Sequence, residues 1–453
     1  MRGRRSLRKS RAGQAGERAL RVIRDQANGT SPAARAGTGV EVCLRRWQSG
    51  SQFHIYVAQD CNLRCAYCFN LHGAFGRAPR QMTLETAQGV TRFIASHHAS
   101  DAPFLNVRFM GGEPMLGRDA LFEIMRGLRS LPGSASKPRF AIDTNGTLLD
   151  RQALTFWDSL GCVQLNVSLD GDSAATDANR HTRDGKPTWR RVVRNLRRAQ
   201  DYRVDLGATA VLTRSNCNAV EVTAELRSLG FRSITLTPVW RSPLNPATAG
   251  VEIDADSESY YRASMVGLLA EYFCGLKEAM DQHRPPDYFL SNAFAVLEAA
   301  QPPRPDQPAR RCGGGALAID CEGYLLPCAA TAHLPEFRVG HISSGIDPAA
   351  TERFCKARLS TADVEKCRDC WARLRCGGPC LQFVGSAQQL AGLEPVESYC
   401  RMRKREIEVG AATLHELERM YDGALPALLG YASEWFGAGP APHISAGFLQ
   451  RTG

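Results

Sequence analysis

Between residues 50 and 280, short apolar or alternating runs trade places with longer stretches of helical period. The runs HIYVAQD (54–60), FLNVRFM (104–110), PRFAIDT (138–144), CVQLNVSLD (162–170), LGATAVLT (206–213) and SITLTPVW (233–240) predict strands. Helices are expected between them. TLETAQGVTRFIASHH has Thr83 as its N-cap, and DRQALTFWDSLG is capped by Asp150 and stopped by Gly161. RDALFEIMRGLRSL, TWRRVVRNLRRAQDY and AVEVTAELRSLG, ending at Gly230, complete the set, and the sixth strand leads into ESYYRASMVGLLAEYFCGLKEAM. Six βα units in succession predict an α/β fold with a parallel sheet joined by right-handed crossovers. Periodicity leaves open whether that sheet is doubly wound or curls toward a barrel. In either case ligands collect at the C-terminal ends of the strands.

The pattern then changes. Residues 301–311, QPPRPDQPARR, hold four prolines and no apolar period, so they read as a linker. From 312 to 400 the chain carries nine of its sixteen cysteines among many glycines, which predicts a small domain stapled by metal. Beyond it, RMRKREIEVGAATLHELERMY reads as an amphipathic helix before a Gly/Pro/Ala tail. At 453 residues the chain is long enough for two or three domains.

The formal net charge of +10 suggests nucleic acid until its distribution is read. Residues 1–35 hold ten Lys/Arg and two acids, a net of +8, which leaves +2 for the rest. The body is nearly neutral, so no nucleic-acid partner is expected, and residues 1–48 read as a basic, disordered tail. A transit peptide shares that composition. With no signal peptide and no apolar run near membrane-span length, the expectation is a cytoplasmic protein with no membrane partner. Clustered cysteines in a large chain of that kind point to metal rather than disulfides.

The first cluster lies in DCNLRCAYCFN, where Cys61, Cys65 and Cys68 follow the first strand. A structural zinc wants four protein ligands. His72, the one further ligand type at a suitable spacing, sits in the polar loop LHGAFG and reads as a surface imidazole. Three thiolates suit an iron-sulfur cluster with one iron left open. After the second strand comes MGGEP, where Gly111 and Gly112 allow close backbone approach to a cofactor and Glu113 can accept from an ammonium. DTNGTLL, with Asn145 and Gly146, follows the third strand, and SLDG, Ser168 to Gly171, then Arg180, follow the fourth.

This ordered set resembles the radical S-adenosylmethionine (SAM) superfamily, whose signature is C-x3-C-x2-C with aromatic neighbours, here Tyr67 and Phe69. The resemblance, over about residues 50 to 250, implies a partial (β/α)6 TIM-like barrel at 49–300. It also implies a 4Fe-4S cluster on Cys61, Cys65 and Cys68 whose open iron takes the amine and carboxylate of SAM. One electron then cleaves SAM to methionine and a 5′-deoxyadenosyl radical. Tyr67, Phe69, Gly111, Gly112, Glu113, Asn145, Ser168 and Arg180 are the implied SAM-binding set, with Ser168 and Arg180 on its carboxylate. One departure is Met110, where relatives often carry a polar residue.

The C-terminal cysteines, with Gly323 five residues before Cys328, resemble a SPASM domain, placed here at 312–405 and followed by a C-terminal helix and tail at 406–453. That likeness implies two auxiliary 4Fe-4S clusters, three in all. Cys312, Cys328 and Cys380 would hold one, with Cys321 its candidate fourth ligand and Cys355 or an open site the alternatives. Cys367, Cys370, Cys376 and Cys400 would hold the other. A pair of zinc sites is the bland alternative for the same spacing. Cys43, Cys162, Cys217 and Cys274 fall outside and read as buried thiols.

SPASM relatives mostly modify ribosomally made peptides, so the leading expectation is a maturase that crosslinks, by thioether or C–C bond, or otherwise oxidises a precursor peptide. The pair Phe75-Gly76 recurs at this place in thioether-forming relatives. An anaerobic sulfatase-maturating enzyme, forming formylglycine, is the second reading. Those relatives place an acid after the cysteine matching Cys328, where this chain has Ala329 and Ala330. A dehydrogenase or epimerase of a small molecule is a third, and a nonenzymatic metal scaffold a fourth. The catalytic acid or base is unassigned. The family implies a flavodoxin- or ferredoxin-like electron donor. Leader binding is expected from a separate protein, the interdomain groove or the basic tail.

Overall fold

The computed structural model describes residue 47, residues 51–98, 104–131, 138–239, 241–242, 245–293, 316–357, 365–376, 397–421, 427–428 and residue 431. The strands β1 (Gln52–Gln59), β3 (Leu105–Gly111), β4 (Pro138–Thr144), β5 (Val163–Ser168), β6 (Asp205–Leu212) and β7 (Ser233–Pro238) lie side by side, each parallel to the next. A two-residue β2 (Arg80–Gln81) pairs antiparallel with the end of β1. Because spatial order follows chain order with no reversal, right-handed crossovers put every helix on one face, and the sheet curls as a partial barrel. A doubly wound sheet would reverse at a switch point. Two short strands extend the parallel set: β8 (Phe289–Leu290) beside β7, and β9 (Leu317–Ile319) beside β1. Antiparallel β10 (Tyr324–Leu326), β11 (Gly340–His341) and β12 (Gly345–Ile346) continue beyond β9.

The helical layer is α1 (Leu84–His97), α2 (Arg118–Arg129), α3 (Arg151–Leu160), α4 (Ser173–Asn179), α5 (Trp189–Ala199), α6 (Ala219–Ser228) and α7 (Ala255–Asp281). Its punctuation is that of the sequence. Thr83 accepts from Thr86 N, Asp150 accepts from Ala153 N, and Gly161 ends α3 at φ +64°, a conformation that costs glycine nothing. The strands present one apolar face to these helices: Phe53 meets Phe93 of α1 edge to face, and Phe109 lies beside Phe140. On the opposite face, toward the barrel interior, the alternate residues are polar. Arg108 clamps Asp143 through two bonds of 2.6 Å, and Asn166 Nδ2 donates to Asp143 at 3.0 Å.

Beyond the barrel come α8 (Pro348–Ala357), α9 (Glu365–Arg368), α10 (Arg373–Cys376) and α11 (Glu397–Met420). α11 packs on α7, with Arg405, 7% exposed, clamping Glu258 at 2.9 and 2.7 Å. The β9–β10 hairpin, grouped with the small C-terminal domain from sequence, is hydrogen bonded to β1, so the sheet runs across that boundary. Two further expectations need correction. Trp47, counted with the basic tail, is 1% exposed and packs near Phe354, because an indole loses too much apolar contact in water. His72 is only half in solvent, with a buried Nδ1, because its loop folds back onto Cys68. The linker 301–311 lies outside the described residues. Among the described residues no helix is long and apolar enough to cross a membrane.

Candidate active site

The C-terminal ends of β1, β3, β4 and β5 bring the four motifs together. β1 delivers Asp60 and the loop of Cys61, Cys65 and Cys68, which is tied down on its far side by residues 179–182. Arg64 N donates to His181 O at 2.8 Å, Ala66 N to Asn179 O at 2.9 Å, and Leu63 bridges Thr182. Ser242 Oγ and Asn245 Nδ2 donate to the carbonyls of Phe69 and Cys68 at 3.1 and 3.0 Å.

Gly111 and Gly112 take part in this packing. A Cβ on Gly112 would stand 2.1 Å from Asp60 O, and one on Gly111, at φ +149°, 2.1 Å from Ala58 O. A Cβ on Gly73 would meet Gly112 Cα at 2.3 Å. The backbone of the β3 turn is thus pressed directly onto the cysteine loop, a close approach that leaves no room for a side chain.

Glu113 is completely buried and joins β3 to β4: Oε1 accepts from Met115 N at 3.0 Å and Thr144 Oγ1 at 2.7 Å, and Oε2 from Asn145 N at 2.7 Å. Burial raises its pKa to about 7 against these three donors. Asn145 spends its side chain on the same neighbourhood, with Nδ2 2.9 Å from Asn62 Oδ1 and 3.8 Å from Cys61 Sγ. Ser168 stands at the end of β5, half-buried and in register with Thr209.

Arg180 is buried, and its guanidinium is held by Asp170, Nε to Oδ2 and Nη2 to Oδ1 both at 3.0 Å, and lies 5.2 Å from the Tyr67 ring. Burial opposes the charge, but Asp170 and Tyr67 reverse that and hold it ionised. Asp170 escaped the sequence reading although it stands within SLDG. It is fully buried, accepts from Tyr67 Oη and from Val211 N at 2.9 Å, and so links the cysteine loop, β5, β6 and Arg180. One aspartate carries no period; the signal available was an acid at a strand end ten residues before an arginine. Of the two aromatic neighbours, Tyr67 is buried in this network and Phe69 is 40% exposed.

The three thiols feel one another. Burial raises Cys61 and Cys65 to about 12, with Cys68 adding to both and Cys61 adding to Cys65. Backbone N–H groups of Leu63 and His72 already point at Cys61 and Cys68 sulfurs, at 3.4 and 3.1 Å. Among the described residues no group of three or more His, Cys, Asp or Glu gathers around a single-ion position. A partly buried, mutually repelling trio, with amide donors on the Cys61 and Cys68 sulfurs, fits a larger cationic group that would hold all three as thiolates.

Six of the seven described C-terminal cysteines fall into two places. Cys400 lies within electrostatic reach of Cys376 and Cys370, and Cys370 N donates to Cys367 O at 3.2 Å. Cys321 and Cys328 both flank Tyr56, whose Oη donates to Ala329 O at 2.7 Å, and Cys321 Sγ lies 3.1 Å from Tyr56 O. Cys355 sits on α8. Cys312 and Cys380 lie outside the described residues.

Comparison with known proteins agrees with this geometry. Residues 55–235 match the model of the Radical SAM superfamily. The chain is 23% identical over 355 residues to a serine-type anaerobic sulfatase-maturating enzyme of Klebsiella pneumoniae, covering 74% of this chain and 83% of that one. A cysteine-type enzyme of Clostridium novyi is 21% identical over 328 residues, covering 69% of this chain and 83% of that one. Among solved structures, anSMEcpe with bound AdoMet superposes with a TM-score of 0.63 at 19% identity, covering 84% of this chain and 98% of that one. Streptococcus suis SuiB gives 0.53 at 16% identity, covering 75% of each chain. The fold, the ordered motifs at its strand ends and the family match together give this chain a Radical SAM domain over residues 55–235.

Proposed function

We propose that the protein is a peptide maturase that crosslinks or otherwise oxidises a ribosomally made precursor. Cys61, Cys65 and Cys68 would hold a 4Fe-4S centre that, with SAM, would supply a 5′-deoxyadenosyl radical, the reactivity an unactivated C–H bond demands. The chain's own groups do the rest. Glu113 would accept from the methionyl ammonium, Ser168 and Arg180 would hold the carboxylate, and Asn145 and Tyr67 keep the loop in place. Cys312, Cys321, Cys328 and Cys380, and Cys367, Cys370, Cys376 and Cys400, would hold two auxiliary clusters of a SPASM domain. A peptide substrate is supported by the two structural neighbours, which have been seen with the Cp18Cys peptide (anSMEcpe) and with precursor peptide SuiA (SuiB).

The observation that favours crosslinking over formylglycine formation is at Ala329 and Ala330. The position after Cys328 carries no carboxylate, and the Ala329 carbonyl is already bound by Tyr56 Oη at 2.7 Å. Opposing it, the sulfatase-maturating enzymes are among the most similar relatives, which keeps that reaction as the second reading.

The two are separated by incubating reconstituted enzyme, SAM and dithionite with a cysteine-containing candidate peptide and reading the product by mass spectrometry. Crosslinking removes two hydrogens and keeps the sulfur. Loss of sulfur with a new hydrazine-reactive aldehyde would replace the crosslinking reading with the formylglycine one.

A further inference from the structure

A strip of positive charge runs along the outside of the barrel beside the first cysteine loop. α5 reads WRRVVRNLRRA, with no acid in it. Val192, Val193, Leu196 and Ala199 form its buried side, while Arg190, Arg191, Arg194 and Arg197 are exposed. No ion pair among the described residues engages these four. Of the acids nearby, Asp177 accepts from Thr188 N and Trp189 N, Asp184 pairs with Lys186 and Asp158 with Arg203, while Asp201, just past the helix end, is exposed and enters no ion pair among the described residues. Like charges three and four residues apart weaken a helix, and a merely solvated face is better served by mixed signs. The strip therefore needs a reason outside the fold.

Its position supplies one. At the N-terminal end of α5 the hairpin closed by His181 and Pro187 carries Arg183, which donates to Cys61 O at 2.8 and 3.1 Å. From the buried side Asn195 Nδ2 donates to Gly146 O at 2.9 Å and Thr147 O at 3.2 Å, the turn that begins with Asn145 beside Cys61. One helix diameter, about 10 Å, and one turn separate the arginines from that loop.

We propose that the α5 arginine face docks a small acidic one-electron carrier, a reduced flavin or iron-sulfur protein, that feeds the centre at Cys61, Cys65 and Cys68. One electron leaves the carrier and enters that centre; no atom is exchanged. The proposal rests on the radical reading for its need of an electron. Residues 1–35, with ten Lys/Arg against two acids, carry the same sign of charge as the strip. An acidic peptide substrate is the poorer occupant, because its target carbon has to reach the strand ends, whereas this face lies outside the helical layer.

The test uses a flavodoxin as carrier and two variants, R190Q/R194Q/R197Q, which keeps helix propensity, and R190E/R194E/R197E. At low ionic strength the Gln variant is expected to bind flavodoxin about tenfold more weakly than wild type and the Glu variant weaker still, with the differences fading at high salt. Dithionite-driven 5′-deoxyadenosine formation stays unchanged. Flavodoxin affinity within about twofold of wild type in both variants overturns the proposal. So does unaltered flavodoxin affinity with lost binding of an oligoglutamate peptide or an RNA duplex. Charge-dependent flavodoxin binding by a wild type that makes no 5′-deoxyadenosine with dithionite would instead sink the radical reading and leave the docking face standing.

Discussion

In the proposed role, Glu113 is a carboxyl that changes its charge when the SAM ammonium arrives. Buried and raised to about 7, it is substantially protonated in the ligand-free protein below that pH. An ammonium beside it favours the carboxylate, so binding releases a proton below about pH 7, and SAM affinity rises with pH up to that value and flattens above it. Calorimetry in buffers of different ionisation enthalpy at pH 6 should register that proton for wild type and none for E113Q. Asp170 makes the complementary case. Neutralising it in D170N strands the buried Arg180 charge, at a cost of about 3–5 kcal/mol. Chemical denaturation of the two proteins reads that loss, and a D170N protein within about 1 kcal/mol of wild type would contradict the network described here.

The secondary structure that could be read from the sequence is the part that local chemistry dictates. Six strands were legible to within a few residues from their apolar runs, and α1 and α3 from Thr83, Asp150 and Gly161. β8 to β12 were not, because strands of two or three residues have no period and exist only through their neighbours. The polar α4, SAATDAN, was missed for the same reason: it buries Thr176 and Asn179 and has no apolar stripe. At the site, the cysteines, Glu113 and Asn145 were visible as motifs, whereas Asp170, Gly73 and the Tyr56–Ala329 bond depend on residues far apart in sequence. The β9 pairing carries a prediction. A chain ended at residue 300 leaves the β1 edge without the partner that Phe53, His54 and Ile55 have in Leu317–Ile319. Exposed strand edges template association, so light scattering should find the shortened chain aggregated. A monodisperse monomer would show that β9 is dispensable.

Across the molecule, the first cysteine loop and Cys321 and Cys328 are joined through one continuous sheet, and Cys400 is held by the packing of α11 on α7. Tyr56 spans them, standing on β1 a few residues before Cys61 while its hydroxyl reaches the Ala329 carbonyl just after Cys328. Loss of that bond in Y56F should cost about 1 kcal/mol in denaturation and leave SAM binding intact. The separation of the sets also makes the central claim testable. In C61A/C65A/C68A the C-terminal cysteines are untouched, so iron bound there should persist after anaerobic reconstitution. The decisive measurement is 5′-deoxyadenosine formed from SAM under dithionite by wild type and by this variant, each with its iron quantified. The account predicts product from wild type and none from a variant that still carries iron; product from both, or none from iron-loaded wild type, would contradict it.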